Sequence, residues 1–183
     1  MKYQAVRIHA TGGPEVLRIE QLDLPEPGAG EVQIRHTAIG FNYQDIYTRS
    51  GLYPAPLPTG LGTEAAGVVE KVGAGVTDFK VGERVCYASG PMLGACATHR
   101  NFPAARLLRS PKTMLDEEIA ACLLKGMTVE YLLQRCYPVK LGQFVLMHAA
   151  AGGVGLLAGQ WGRHLGARMI GVAGGPDKGR LAL

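Results

Sequence analysis

The sequence predicts an α/β protein in two parts: a compact, β-barrel-like first part, then one strand–helix–strand unit of a parallel sheet. Three observations carry this. Short alternating stretches separated by Gly and Pro turns fill the first half of the chain. Helical spacing of apolar residues begins only after Pro111. Later, an unbroken apolar run, Phe144-Val145-Leu146-Met147, meets a glycine-rich turn and passes straight into a second helical pattern.

Taken in order, Tyr3 to His9 reads as a strand, and Glu15-Val16-Leu17-Arg18-Ile19 alternates after the Gly12-Gly13-Pro14 turn. Pro25, Pro27, Gly28 and Gly30 mark a loop. Glu31-Val32-Gln33-Ile34-Arg35 then alternates again, with Val32 and Ile34 on one face. Two further strands, Ala65 to Val72 and Glu83 to Tyr87, are divided by Gly73, Gly75 and the Val81-Gly82 turn. Thr113-Met114-Leu115-Asp116 has the form of a capping box, and Asp116, Glu117 and Glu118 suit the positive end of a helix dipole. Ile119, Leu123, Met127, Tyr131 and Leu132 continue an apolar face over residues 115 to 137, with Gly126 expected to break it into two helices.

The run from Phe144 is expected to be a buried parallel strand. Val154, Leu157, Ala158, Trp161 and Leu165 then fall at helical spacing, and Met169-Ile170-Gly171-Val172 is the next strand. A tight turn between strand and helix presents bare backbone N–H groups at a helix N-terminus, the arrangement that holds a dinucleotide pyrophosphate. The common fingerprint is G-x-G-x-x-G; here Ala150 takes the first glycine's place, with Gly152 and Gly155 in the others. An NAD site usually carries an acid about 20 residues further on, to bind the ribose hydroxyls. This chain has Val172-Ala173-Gly174-Gly175 there, and then Lys178, a point charge suited to a 2′-phosphate, with Asp177 opposing it. The balance favours NADPH.

Composition narrows the classes. The 183 residues are 47% hydrophobic and 19% charged, ordinary for a globular protein with a sizeable core. Net charge is +4, but the basic residues are scattered, which speaks against a nucleic-acid surface. No apolar run reaches membrane-spanning length and the first residues lack a signal-peptide core, so a cytoplasmic location is expected. Cys86, Cys96, Cys122 and Cys136 form no C-x-x-C pair and read as buried or half-buried thiols.

Two separated stretches give the chain a resemblance. One is Asn42-Tyr43-Gln44-Asp45-Ile46-Tyr47-Thr48-Arg49-Ser50-Gly51-Leu52-Tyr53 with Gly60-Leu61-Gly62-Thr63-Glu64-Ala65-Ala66-Gly67; the other runs from Gly142-Gln143 through Gly155 to Gln160 and Arg163. Together with Lys125-Gly126-Met127-Thr128, they resemble the zinc-independent, zeta-crystallin-like quinone oxidoreductases of the medium-chain dehydrogenase/reductase superfamily. The resemblance implies a GroES-like domain over 1–125 and the first βαβ unit of a Rossmann NADPH-binding domain over 126–183. It implies transfer of reducing equivalents from NADPH to a quinone or another small electrophilic acceptor, with no metal. Zinc-dependent relatives carry a histidine before the glutamate of the Gly-x-Glu motif, where this chain has Thr63.

By the same resemblance Asn42, Tyr47 and Tyr53 line the acceptor site and hydrogen-bond its oxygens. Tyr43, Gln44, Asp45, Thr128 and Tyr131 touch the cofactor; Gly152, Gly153, Val154 and Gly155 meet its pyrophosphate; Gly174, Gly175 and Lys178 meet its 2′-phosphate end. An open dinucleotide-binding sheet commonly has six parallel strands, and this chain supplies about two, so the expectation is a shortened form of a homodimeric enzyme. Two other readings stay open: reduction of an activated alkene such as an enone, and a non-catalytic remnant. Structural roles compete at single residues. Tyr47 and Tyr53 could be packing residues, Asp45 could cap a helix or pair with Arg49, and Asn42 could satisfy backbone in a turn. Glu64 reads as a hydrogen-bonding anchor and His148 as a structural histidine.

Overall fold

A computed structural model describes residues 1–90 and 92–183 of the chain. The elements in order are β1 (Lys2–Ile8), β2 (Arg18–Asp23), β3 (Glu31–Gly40), α1 (Tyr43–Ser50), β4 (Thr59–Gly60), β5 (Glu64–Val72), β6 (Arg84–Ala88), β7 (His99–Pro103) and β8 (Leu108–Arg109). They continue with α2 (Asp116–Glu130), a π-helical stretch (Tyr131–Cys136), β9 (Phe144–Met147), α3 (Gly153–His164), β10 (Arg168–Gly171) and α4 (Pro176–Ala182). The contacts divide the chain into two compact units, Met1–Ala121 and Cys122–Leu183.

The first unit is built from two antiparallel sheets, ordered β2-β1-β4 and β7-β3-β5-β6-β8. Main-chain hydrogen bonds from Val6 N to Cys96 O and from Thr98 N to Gln4 O, both 2.8 Å, stitch β1 to the segment leading into β7. The core beneath the larger sheet gathers Val32, Ile34, Ala65, Val69, Phe79, Val85, Tyr87 and Phe102. Val32 and Ile34 face it as the alternation predicts. Gln33 between them is fully buried too, because the loop at Pro25 and the side chain of Asn101 cover the opposite face of β3. Its amide donates to Pro25 O at 3.3 Å and to Asn101 Oδ1 at 3.2 Å.

Three local expectations are corrected here. Glu15 and Val16 lie in a 3₁₀ turn, Pro14–Val16, and the strand begins only at Arg18; Pro14 at the first helical position and the Glu15 carboxylate accepting from Gly13 N at 2.8 Å favour the turn. Thr113 and Asp116 do not cap α2. Asp116 binds Arg84 Nε at 3.0 Å and Thr37, while Glu118 accepts from Leu115 N at 2.9 Å and serves the helix start instead. Cys136 is exposed.

Half-buried beside the core residue Tyr87, His36 has Nδ1 2.7 Å from Ala97 O and Nε2 2.9 Å from the Tyr87 hydroxyl. A carbonyl only accepts, so Nδ1 carries the proton and Nε2 accepts from Tyr87. Burial, helped by the Arg100 guanidinium and opposed by the Ala97 carbonyl, holds the imidazole down at about 4. The unfolded chain, with an ordinary histidine near 6.5, therefore takes up the proton first as pH falls. The stability His36 contributes is fully present above pH 6.5 and is lost as pH drops toward 4, on the order of 3 kcal/mol across that window. Urea midpoints measured between pH 7 and pH 4.5 should fall, and should fall less in His36→Gln; an unchanged slope in that variant would assign the effect to other groups.

The second unit holds the parallel pair. β10 and β9 run side by side with Met169 opposite Val145 and Ile170 opposite Leu146. Val129, Leu133 and Ala158 form its core, with Val154, Leu157, Trp161 and Leu165 of the α3 face packed around them. Gly126 does not break α2: the helix runs through it to Glu130, the roughly 1 kcal/mol cost of one interior glycine being tolerable in 15 residues. Strand β9 is also not buried on both faces. Val145 and Met147 are half-covered, whereas Phe144 and Leu146 are 66% and 59% exposed, because α3 shields one side of this two-stranded sheet. No helix among the described residues is long and apolar enough to cross a membrane.

Candidate active site

In the first unit, the predicted residues cluster around α1. Asn42 stands at the helix N-cap with extended backbone, and Asp45, three positions on, closes a capping box with it. Asn42 N donates to Asp45 Oδ2 at 2.9 Å, and Gly62 N donates to Asp45 Oδ1 at 3.0 Å. One buried carboxylate thus ties the start of α1 to the turn that leads into β5. Glu64, fully buried at the head of β5, accepts from Asn42 Nδ2 at 3.4 Å. Thr63 is equally buried, and its carbonyl receives both N–H and O–H of Ser89 at 2.6 and 2.8 Å.

The tyrosines form a second group. Tyr43 meets Tyr47 edge-on with ring centroids 5.2 Å apart, and Tyr47 meets Tyr53 at the same separation, tilted 54°. Tyr53 N donates to Tyr47 O at 3.0 Å, which fixes the loop after α1 against the helix. Tyr53 is 49% exposed and Tyr47 half-buried, so the packing role that competes for these two is incomplete; Tyr43, on the other side of Tyr47, is 68% exposed. Gln44 is half-buried on the same helix. Burial, and then the neighbouring Asp45 carboxylate, pushes the Cys96 thiol up to about 11, so it is no thiolate nucleophile at neutral pH.

In the second unit, the turn after β9 delivers the glycines. Gly152 is the N-cap of α3 without a side-chain cap, and no acidic residue occupies the first turn. The N–H groups of Gly153, Val154 and Gly155 consequently have no intrahelical acceptor, and the positive end of the helix is open to an anion. Ala149 is held at φ 51°, and Gly152 N bonds back to its carbonyl at 2.8 Å. Gly155 sits so close beneath that a Cβ there would lie 2.4 Å from Ala149 O and 2.6 Å from Ala150 O. At Gly153 the methylenes of Lys125 occupy the space a Cβ would take, its Cδ 2.8 Å away. Sequence reasoning left Lys125 out, although it opens the Lys125-Gly126-Met127-Thr128 segment.

Thr128 and Tyr131 lie along α2 and its π-helical continuation. Thr128 donates its hydroxyl to Leu124 O at 2.8 Å, leaving only oxygen lone pairs for a ligand. Tyr131 is exposed, and a hydrogen bond with Cys136 raises its pKa. Gly174 and Gly175 follow β10; Gly175 is the N-cap of α4, and Lys178 is exposed on that helix. Asp177, the apparent obstacle to a phosphate, is engaged by Arg180. His148 is exposed on the turn after β9 and not packed as a structural histidine would be. Among the described residues no group of three or more His, Cys, Asp and Glu side chains is arranged to hold a metal ion.

An antiparallel β unit with a polar-capped α1, followed by a βαβ unit with an open glycine turn, defines a class. Residues 28–133 match the Alcohol dehydrogenase GroES-like domain, and the chain belongs to that family. It is 51% identical over 178 residues to a quinone oxidoreductase of Pseudomonas aeruginosa, covering 97% of this chain and 54% of that protein. It is 48% identical over 185 residues to a 2-haloacrylate reductase of a Burkholderia species, covering 97% of this chain and 55% of that one. The crystal structure of Escherichia coli quinone oxidoreductase complexed with NADPH superposes with a TM-score of 0.95 at 47% identity, over 98% of this chain and 55% of that chain. The chain therefore spans about half the length of the relatives it matches. The α/β class and the resemblance to quinone oxidoreductases read from the sequence are both borne out.

Proposed function

We propose that this chain carries the cofactor grip and the acceptor-lining residues of an NADPH-dependent quinone oxidoreductase. The observation that supports this most is the Gly152–Gly155 turn: an uncapped helix start without an acid in its first turn, in a chain 47% identical to a quinone oxidoreductase complexed with NADPH. Gly153, Val154 and Gly155 would hold the pyrophosphate by main-chain N–H groups, and Gly152, whose own N–H is taken by Ala149 O, would let the backbone approach it. Gly174 and Gly175 would let the 2′-phosphate end approach, and Lys178 would pair with it. Tyr43, Gln44, Asp45, Thr128 and Tyr131 complete the cofactor contacts in this reading.

When bound, NADPH supplies a hydride; with one proton from solvent, a quinone becomes a hydroquinone. The chain's part is orientation and hydrogen bonding. Asn42, Tyr47 and Tyr53 carry N–H or O–H donors suited to the two carbonyl oxygens of a quinone, and the uncovered tyrosine rings suit a flat acceptor. The reading is zinc-independent and zeta-crystallin-like: Thr63 stands where the resemblance places a zinc enzyme's histidine, and Asn42 stands near the position of its first metal ligand. It further takes the complete protein to be a cytoplasmic homodimer, divided into a GroES-like domain over 1–125 and a partial Rossmann domain from 126.

Binding tests it first. NADPH at a hundred times its Kd should stabilise the protein by about 2.7 kcal/mol, with NADH much weaker at equal concentration; no shift with either would leave only a non-catalytic remnant. Lys178→Ala should weaken NADPH several-fold while leaving NADH unchanged, by calorimetry; equal losses would remove Lys178 from the phosphate site. The resemblance to a 2-haloacrylate reductase keeps a second acceptor class in view. Steady-state rates with 1,4-benzoquinone, 9,10-phenanthrenequinone and a small enone would rank quinones against activated alkenes, and rates lost to a chelator would end the metal-free reading.

A further inference from the structure

Two segments of the first unit converge on one side chain that the preceding reading leaves without a task. In the β3–β5 ladder Gly40 pairs with Glu64, and Asn42 follows two residues after Gly40. Gly40 has no side chain for a reason: a Cβ there would lie 2.7 Å from Glu64 Oε1, 2.8 Å from Glu64 Cδ and 2.2 Å from Ala120 O. The bare backbone makes room for a fully buried carboxylate directly beside the start of α1. That carboxylate accepts from Asn42 Nδ2 at 3.4 Å.

We propose that Glu64 is a positioning residue, which sets the orientation of the Asn42 carboxamide so that its second N–H becomes the hydrogen-bond donor for the acceptor's carbonyl oxygen. The inference rests on the reading of Asn42 as an acceptor-binding group. An asparagine amide has two nearly isosteric ends, and it can present either a carbonyl oxygen or an NH₂ group to a given neighbour. A carboxylate only accepts, so the NH₂ end must face Glu64; the reversed amide would set two acceptors against each other. That difference biases the orientation roughly tenfold or more in a buried site. On the other side, Asn42 faces the first turn of α1 in the capping box with Asp45. One Nδ2 proton is thus committed to Glu64, and the other is the donor that remains. A carbonyl oxygen gaining negative charge during reduction would be met by that donor, already oriented.

Two measurements decide it. In an ¹⁵N-edited spectrum of the protein, the Asn42 side-chain pair (identified by its loss in Asn42→Ala) should show one proton displaced from the ordinary asparagine position, and Glu64→Gln should remove the displacement. An Asn42 pair at ordinary positions in the wild-type spectrum overturns the proposal without any variant being needed. In quinone assays with NADPH, Glu64→Gln should lower kcat about tenfold with KM for NADPH unchanged, and less than twofold further in an Asn42→Ala background. Losses that multiply in the double variant would mean Glu64 does not act through Asn42. A wild-type protein without quinone turnover defeats the functional reading instead, and the spectrum alone then decides whether Glu64 orients the amide.

Discussion

Gly155→Ala should abolish cofactor binding and destabilise the second unit, although it adds a single methyl group. The new Cβ would fall 2.4 Å from Ala149 O and 2.6 Å from Ala150 O, both main-chain atoms that cannot swing aside as a side chain end could. Either the turn or the first residues of α3 must move, and these carry the N–H groups proposed to hold the pyrophosphate. Overpacking of this kind costs roughly 1–3 kcal/mol, and backbone obstruction puts this site at the upper end. At 2–4 °C per kcal/mol, Tm should fall by roughly 6–12 °C, and NADPH should no longer raise it. Gly159→Ala in the same helix is the control. Nothing lies within 4 Å of a Cβ there, so alanine's higher helix propensity should leave stability unchanged or raise it by about 0.5–1 kcal/mol. Equal behaviour of the two variants would show that the close approach at Gly155 is not what the turn depends on.

Asp45→Ala should be the most damaging change in the first unit that leaves the apolar core intact. Its two oxygens receive Asn42 N and Gly62 N, and both residues are buried. Alanine would leave two buried donors unmatched and remove half of the α1 capping box, a loss of about 2–5 kcal/mol. Because Asn42 and the tyrosines of α1 depend on how that helix begins, quinone turnover should fall with stability. Asp45→Asn retains one acceptor oxygen but turns an NH₂ toward the other N–H, so it should fall between wild type and alanine. Urea midpoints give the ordering; an alanine variant as stable as wild type would mean that water replaces the carboxylate.

Much of the fold could be read along the chain because local chemistry decided it. Alternation over Glu31–Arg35 yields β3, and the run Ala65–Val72 bounded by glycine turns yields β5, both packed on a continuous core. Helical spacing from Val154 to Leu165 yields α3, and the turn before it follows from its glycines. At Glu15–Val16 the reading missed a local turn set by Pro14; elsewhere a neighbour distant in sequence intervened. Arg84 and Thr37 claimed Asp116 from its expected cap. The Pro25 loop and Asn101 buried Gln33, which alternation would place outward. Tertiary packing carried α2 through Gly126, where local propensity argued for a break.

The candidate site divides in the same way. Residue types and spacing pointed to the Gly152–Gly155 turn, because phosphate-binding chemistry is written within a few consecutive residues; Asn42 and the three tyrosines came from the family resemblance. The partner of Glu64 and the surroundings of Cys96 and Lys125 could not be read so. Glu64 reaches Asn42 only through the pairing of β3 with β5; the Cys96 thiol is raised by burial and by Asp45; Lys125 meets Gly153 from another helix. Hydrogen bonds and electrostatic shifts act over a few ångströms of space, whatever the distance along the chain. The sequence determined which groups were available, and the tertiary structure alone decided which of them stand close enough to act on one another.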